Sequence, residues 1–231
     1  MKLIEIIKKM ILKFRIEGGI AVITIDAVVT GYLDNNTYLV TNDETKEAFI
    51  IDPSFYVEKI EEMINKNGAD LKAILLTHGH FDHIISAPDL RDKYGAVIYA
   101  SSGEKELLGS EELNLSCQKA QLCMTIEVDR YLEEGDILHL AGVEIKAIST
   151  PGHTMGGMCF YIPDEKIIFA GDTLFAGSHG RTDFPSGNHI DMIESINKKL
   201  FTLPEDTVVY CGHGGLTTIG LEKARNPIER I

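Results

Sequence analysis

Three histidines and one aspartate are concentrated within residues 77–83, which read Thr-His-Gly-His-Phe-Asp-His. This heptapeptide directly follows the apolar run 73–76, which predicts a buried strand that ends where the polar cluster begins. Neutral imidazole binds borderline transition metals, and an ionised carboxylate adds the negative charge that holds a second cation. A solvated turn would gain no stability from so many histidines in one place. The cluster therefore predicts a metal site on the loop after a strand.

Three more polar residues follow apolar stretches further along the chain, and they are His153, Asp172 and His213. A single histidine or aspartate at the end of a strand is more often a hydrogen-bonded structural residue than a ligand. With residues 77–83, however, these positions provide five histidines and two aspartates, all at the carboxyl ends of predicted strands. That set of side chains suits two cations that share a bridging carboxylate.

The segments between these positions predict an α/β fold. Strands are predicted at 20–29, 37–41, 48–51, 72–77, 96–100, 125–130, 137–140, 142–149, 157–162, 166–170 and 207–210. Helices are predicted at 55–67, 84–94 and 189–201 and in a final turn, with one or two more over 103–124 as a cap. Hairpins combined with strands that alternate with helices predict two mixed sheets with helices outside them.

The composition is that of a globular protein with one large domain or two small ones, at 231 residues. A net charge of -13 argues against a nucleic-acid partner, because phosphate binding needs a basic surface. No apolar run reaches the roughly 18 to 20 residues that a membrane span needs. The four cysteines form no C-x-x-C pair and no disulfide-dense pattern, which favours a reducing, cytoplasmic setting.

The first 16 residues are apolar, but charged residues interrupt them, which argues against a signal peptide. On a helix they would form an apolar stripe with lysines opposite. Such a helix would pack on the domain or in a dimer contact, and a homo-oligomer is compatible with this. Attachment to a membrane surface and an unstructured extension are the alternatives. We therefore predict an amphipathic extension over residues 1–19 and a catalytic domain over 20–231.

Four motifs in order, THGHFDH, PGHT, GDTLF and CGHG, resemble the metallo-β-lactamase superfamily of metal-dependent hydrolases. The resemblance covers about residues 24–228 and implies a four-layer αββα sandwich with two metals in a cleft at one edge of the sheets. The first metal would be bound by His78, His80 and His153. The second metal would be bound by Asp82, His83 and His213.

The resemblance also implies a bridging role for Asp172 and an outer role for Asp52, which would orient a ligand imidazole. Asp82 and Asp172 would be the catalytic carboxylates. The cofactors would be two divalent ions, with zinc favoured and iron or manganese also compatible.

Within the superfamily, the motifs GDTLF and GRTDF resemble the glyoxalase II group, the hydroxyacylglutathione hydrolases, and especially their short bacterial relatives. Aspartate at position 172, where the true β-lactamases carry cysteine, argues against antibiotic hydrolysis. The implied reaction is hydrolysis of a small thioester such as S-lactoylglutathione by a metal-bridging hydroxide. A thiolate leaves without a general acid, because its thiol has a pKa of roughly 8.5.

Arg181, on the loop after the bridging aspartate, would bind a substrate carboxylate, although pairing with Asp183 is an equally good interpretation. Recognition of glutathione stays open, because glyoxalase II has a helical C-terminal domain and a tyrosine where Gly214 and Gly215 stand here.

A different reaction class also stays open. Persulfide dioxygenases share the fold and the GRTDF stretch and use one iron, which His78, His153 and Asp172 would bind. Lactonases and a non-catalytic metal-binding module are further alternatives.

Overall fold

The computed structural model describes residues 22–231. The amphipathic extension predicted over residues 1–19 lies outside this range and stays a prediction. None of the helices within the described range has the length and apolar character to cross a membrane.

Most strands of the described chain belong to two six-stranded sheets. In chain order the strands are β1 (Ile23–Thr30), β2 (Asn35–Asn42), β3 (Glu47–Ile51), β4 (Asp70–Leu75), β5 (Val97–Ser101), β6 (Arg130–Leu132), β7 (Ile137–Leu140), β8 (Val143–Ser149), β9 (Met158–Ile162), β10 (Ile167–Gly171), β11 (Leu174–Phe175), β12 (Ser178–His179), β13 (Val208–Cys211) and β14 (Thr217–Thr218). The first sheet has the order β1-β2-β3-β4-β5-β6 and the second β14-β13-β10-β9-β8-β7, while β11 and β12 form a separate hairpin. Both large sheets mix parallel and antiparallel pairs.

The helices cover the outer faces of the two sheets. In chain order they are α1 (Val57–Asn67), α2 (Phe81–Ile84), α3 (Ala87–Tyr94), α4 (Lys105–Leu108), α5 (His189–Lys198) and α6 (Ile219–Arg225). Short 3-10 turns at Ser102–Glu104 and Leu200–Thr202 and a π-helical turn at Ser116–Ala120 complete the helical segments.

Strand β3 shows why the layers stack as they do. Its side chains alternate, so that Phe49 and Ile51 face the core between the sheets while Ala48 and Ile50 face the helices. Helices α1 and α3 pack on the first sheet through buried residues such as Ile60. Helix α5 packs on the second sheet in the same way. The predicted four-layer αββα sandwich is confirmed.

Several element boundaries differ from the predicted ones. The cap predicted as one or two helices over 103–124 contains only α4 and two short turns, and the strand predicted at 125–130 is reduced to β6. Backbone reversals explain the loss of helix, because Leu115, Gln121 and Cys123 all have positive φ angles.

These reversals also bring Cys117 and Cys123 together in a disulfide. The cysteine spacing did not predict this bond. A reducing compartment therefore has no support from the cysteines.

Candidate metal centre

Loops from both sheets bring the predicted ligands together at one edge of the sandwich. The segments that follow β4, β8, β10 and β13 supply all seven side chains, and two of these, Asp82 and His83, lie on the short helix α2. Two groups of donor atoms each lie within 4.8 Å of one another. The first group consists of His78, His80 and His153. The second group consists of Asp82, His83 and His213.

The first group contains only imidazoles. His80 Nδ1 lies 2.9 Å from His153 Nε2, and the ring of His78 lies 4.8 to 4.9 Å from the other two rings. Burial, followed by repulsion from neighbouring imidazoles, holds the pKa of His78 and of His80 well below the usual value. Both rings are therefore neutral at physiological pH, which is the form that binds a metal.

The second group contains a carboxylate among its imidazoles. His83 Nε2 lies 3.3 Å from His213 Nε2, and each lies 3.7 Å from Asp82 Oδ2. Burial lowers the pKa of His83, but the carboxylates of Asp172, Asp82 and Asp52 outweigh it and raise this pKa to about 10. The pKa of His213 is also raised, because the hydrogen bond and charge of Asp172 outweigh burial.

Asp172 faces both groups. Its Oδ2 lies 3.5 Å from His153 Nε2 and 3.4 Å from His213 Nε2, while its Oδ1 lies 3.5 Å from His83 Nε2. Burial alone would raise the pKa of Asp172, but the neighbouring imidazoles, His83 first, hold it well below the usual value. A carboxylate that reaches both groups has the geometry that a bridging ligand needs.

In four of the five imidazoles, the Nδ1 atom lies within hydrogen-bonding distance of an oxygen atom. Such partners fix the ring orientation and direct the other nitrogen toward a metal. The Nδ1 contacts are His78 to Thr77 Oγ1 at 3.1 Å, His83 to Asp52 Oδ2 at 3.0 Å, His153 to the Arg181 carbonyl at 2.7 Å and His213 to the Leu33 carbonyl at 2.9 Å. The structure therefore brings Asp52 to the position in which it would orient a ligand.

Asp52 also anchors the first metal loop. Its carboxylate accepts hydrogen bonds from the backbone N–H of Thr77 at 2.7 Å and from the Thr77 hydroxyl at 2.6 Å. Asp52 has a φ of 47°, a left-handed conformation that costs free energy in a residue other than glycine. The hydrogen bonds to Thr77 offset that cost and join the end of β3 to the loop after β4.

Two glycines of the motifs are required by close approach. A Cβ atom on Gly212 would lie 2.3 Å from Asp172 Oδ1 and 2.9 Å from His83 Cε1. A Cβ atom on Gly171, where φ is +48°, would lie 2.3 Å from Thr77 Oγ1. A side chain at position 212 would enter the space where the donor atoms converge, and one at position 171 would displace Thr77, the hydrogen-bond partner of Asp52.

Asn35 belongs to this site, although the sequence analysis did not identify it. Its buried Nδ2 donates to Asp82 Oδ2 at 2.9 Å and lies 3.2 Å from His83 Nε2. The next residue, Asn36, donates from its own Nδ2 to the carbonyls of Cys211 and Gly214, both at 2.9 Å. In the sequence, residues 34–36 resemble an ordinary polar turn. The pair of asparagines at the start of a strand is the one sequence feature that could have indicated a role in the site.

The predicted substrate ligand Arg181 lies at the rim, outside both donor groups. Its guanidinium makes a bidentate pair with Asp183, with both N–O distances 2.6 Å, and lies 4.0 Å from the Phe184 ring centroid. That ring in turn lies 5.5 Å from the His80 ring and 6.3 Å from the His153 ring. The pairing with Asp183 matches one of the two interpretations of Arg181, and binding of a substrate carboxylate stays a prediction.

The donor set fits divalent transition metals. Five imidazoles and two carboxylates converge, and nitrogen and oxygen donors of this kind bind zinc, iron and manganese. Two of the inward-facing atoms, His78 Nε2 and Asp172 Oδ1, have no hydrogen-bond partner among residues 22–231 although they are buried. Buried polar atoms are rarely left without a partner in folded proteins. Cations bound by the two donor groups would give both atoms a partner.

Comparisons with known proteins match this geometry. Residues 30–213 match the family described as the metallo-beta-lactamase superfamily. The hydroxyacylglutathione hydrolase GloC of Haemophilus influenzae is 38% identical over 209 residues, which cover 88% of this chain and 96% of GloC.

Two solved structures are also similar. The BLEG-1 B3 metallo-beta-lactamase has a TM-score of 0.84 at 35% identity, covering 88% of this chain and 98% of that one. TTHA1623 in a di-iron-bound form has a TM-score of 0.78 at 34% identity, covering 88% of this chain and 99% of that one. The chain belongs to the metallo-β-lactamase superfamily.

Proposed function

We propose that this protein is a dinuclear metal-dependent hydrolase of small thioesters. The observation that carries the proposal is the position of Asp172, whose two carboxylate oxygens lie 3.4 to 3.5 Å from imidazoles of both donor groups. One carboxylate shared by two groups of ligands is typical of two-cation sites. The catalytic domain is assigned to residues 20–231, which contain the family match at 30–213.

Each donor group holds one cation in this proposal. His78, His80 and His153 would hold the first cation, Asp82, His83 and His213 would hold the second, and Asp172 would be shared by both. Zinc is favoured, since nitrogen and oxygen ligands suit it. The di-iron-bound form of TTHA1623 supports iron as an alternative for this chain, and manganese also suits the carboxylates.

The bound cations would lower the pKa of a water molecule and polarise the thioester carbonyl. The carboxylate of Asp82 would accept the proton of that water, and Asn35 holds the carboxylate in place by donating to its Oδ2. The leaving thiolate needs no proton from the enzyme, because a thiol pKa of roughly 8.5 makes thiolate a good leaving group. The ring of Phe184, next to His80 and His153, would form one wall of the substrate cleft.

S-Lactoylglutathione is the first substrate to test, because GloC is named a hydroxyacylglutathione hydrolase. Arg181 would anchor a glutathione carboxylate, in which case the substrate displaces Asp183 from the guanidinium. A planar guanidinium exchanges one carboxylate for another without loss of bidentate geometry.

Three assays on anaerobically purified protein, together with metal analysis, test this function. They follow thiol release from S-lactoylglutathione, oxygen uptake with glutathione persulfide, and cleavage of a chromogenic cephalosporin. Two metals per chain with thiol release would support the proposal. One iron with oxygen uptake would instead indicate the mononuclear dioxygenase with His78, His153 and Asp172 as ligands. Cephalosporin cleavage without thiol release would indicate the activity for which BLEG-1 is named.

A further inference from the structure

Glu104 is a buried acidic residue that none of the metal-ligand motifs includes. It ends the 3-10 turn Ser102–Glu104 after β5, and it is 0% exposed. A buried carboxylate is costly unless hydrogen bonds satisfy its oxygens. Here Oε2 accepts from the backbone N–H of Gly79 at 2.7 Å, and Oε1 accepts from the backbone N–H of Gly156 at 2.8 Å.

These two N–H groups belong to the two loops that carry the first donor group. Gly79 lies between His78 and His80 on the loop after β4, and Gly156 lies three residues after His153 on the loop after β8. Strands β4 and β8 belong to different sheets. One carboxylate therefore links ligand loops that approach the site from opposite halves of the sandwich.

Glycines allow the segment that carries Glu104 to sit directly on both loops. A Cβ atom on Gly156 would lie 2.2 Å from the carbonyl carbon of Gly103 and 2.3 Å from Glu104 N. A Cβ atom on Gly79 would lie 2.6 Å from Leu107 Cδ2. The backbone contact is so close that larger residues would push the loops away from the carboxylate.

The two loops have one other backbone connection near their bases. Met158 N donates to the Thr77 carbonyl at 2.8 Å. Thr77 directly precedes His78, and Met158 follows His153 on the other loop. No other backbone hydrogen bond of the described residues joins these two loops nearer their tips. Glu104 acts at the tips, where the 2.9 Å contact between His80 Nδ1 and His153 Nε2 has to be maintained.

We propose that Glu104 is the positioning residue of the first metal site. It holds the loop of His78 and His80 against the loop of His153, and it thereby sets the affinity of this site for its cation. The proposal rests on the assignment of the first donor group to a metal. It does not depend on which substrate the enzyme hydrolyses.

The substitution Glu104→Gln tests this role with little change of volume. An ionised carboxylate accepts from both N–H groups, whereas an amide offers one acceptor and one NH2 donor. The NH2 group would oppose one of the two backbone N–H groups, so one loop would lose its attachment. Losing an outer partner of a metal ligand typically weakens metal binding about 10- to 100-fold.

Glu222→Gln is the matched control. Glu222 is also a buried carboxylate, and it accepts hydrogen bonds from Gly177 N at 2.9 Å, from Asn226 Nδ2 at 2.7 Å and from the Thr217 hydroxyl. None of these three partners lies on the loops that carry His78, His80 and His153. The control therefore reproduces the loss of a buried carboxylate away from the first donor group.

The measurement is a Co²⁺ titration of the metal-free proteins, followed by visible absorption, with Zn²⁺ competition to obtain affinities. We expect Glu104→Gln to bind one of two cations about 10- to 100-fold more weakly and to show an altered spectrum for that cation. Glu222→Gln should bind both cations like the unmodified protein. Equal affinities in all three proteins, or equal losses in both variants, would overturn the proposal.

Glu104→Asp provides a second test that retains the buried charge. Its side chain is one methylene shorter, so it can reach only one of the two N–H groups, and we expect an intermediate loss of affinity. Unmodified binding in this variant would contradict the proposal even if the Gln variant failed to fold. Should the unmodified protein bind one cation only, the dinuclear function fails, while the effect of Glu104 on that cation is still measured.

Discussion

The two donor groups of the metal centre are held in place by different means. The first consists of three imidazoles and is tied together by backbone N–H groups on one buried carboxylate, Glu104. The second contains Asp82, and side chains contact its donors directly, namely Asn35 on Asp82 and Asp52 on His83. The first group thus depends on the relative position of two loops, and the second depends on side-chain contacts within the site.

The two groups also differ in charge and exposure. The pKa values of His78 and His80 are lowered, whereas those of His83 and His213 are raised by carboxylates. The side chain of His213 is 24% exposed, compared with 7% for that of His153. The second group therefore combines a carboxylate with imidazoles that keep their protons to higher pH, and it lies nearer to solvent. In the first group, His78 and His80 are neutral and buried.

The largest expected effect comes from removing what the two groups share. Asp172→Ala deletes the carboxylate whose two oxygens lie 3.4 to 3.5 Å from imidazoles of both groups. We expect both cations and the hydrolytic activity to be lost together, with activity lower by at least about 10²- to 10³-fold. His78→Ala should have the same combined effect on metal and activity.

Metal content by elemental analysis and thiol release check this prediction. His139→Ala is the control, because His139 lies exposed on β7, away from the donor groups. Full activity in Asp172→Ala or His78→Ala would contradict the ligand assignment.

The next effect should be confined to the second group. Asn35→Ala removes the 2.9 Å hydrogen bond to Asp82 Oδ2, so we expect the second cation to bind about 10- to 100-fold more weakly while the first is unaffected. Asn42→Ala is a matched control at the other end of β2, where the buried amide donates to the Ala141 carbonyl at 3.0 Å. Stepwise metal titration of the metal-free variants measures both affinities. Weaker binding of both cations in Asn35→Ala would mean that the two groups are not independent.

The side chains that converge at this edge could be picked out from the sequence because each lies shortly after an apolar strand. An apolar run followed by clustered histidines, as at 73–83, carries two signals within a few residues. The layered fold followed from the alternation of strands and helices, which reflects burial of one face of each element.

The contacts that hold the ligands could not be predicted in this way. Leu33 and Arg181 contact imidazoles through their carbonyls, so their residue types carry no signal of this contact. Glu104 contacts backbone N–H groups of loops that are distant in sequence, and nothing in the residues around it indicates those partners. The cap region was predicted as helix because its composition favours helix, but left-handed residues such as Leu115 reverse the backbone there. Tertiary contacts decided these features, and local propensity did not.

A smaller difference between the groups should appear in the proton balance. His83 in the metal-free protein keeps its proton until the pH rises through about 10, since its pKa is raised. A cation must therefore displace that proton, and affinity for the second cation should increase with pH. The pKa values of His78 and His80 are lowered, so these two ligands add no such pH dependence to the first cation.

Calorimetry at pH 6 in buffers of different ionisation enthalpy measures the protons released. This pH lies below the value near 7 at which a metal-bound water ionises, so protein groups supply the protons. We expect more protons to be released in the second binding step than in the first. Equal proton release in both binding steps would contradict the electrostatic difference between the two groups.

The smallest expected effect concerns the rim beside the first group. The carbonyl oxygen of Arg181 lies 2.7 Å from His153 Nδ1, while its guanidinium pairs with Asp183. The backbone and the side chain of this residue therefore have different partners. Asp183→Asn removes the competing charge without altering the backbone contact. We expect KM for S-lactoylglutathione to fall by about two- to fivefold, which is the scale of an exposed ion pair, with kcat unchanged. Arg181→Ala should raise KM, and a thioester without a carboxylate should respond to neither change. If KM for both substrates shifted together, the guanidinium would be supporting Phe184 against His80 and not binding a carboxylate.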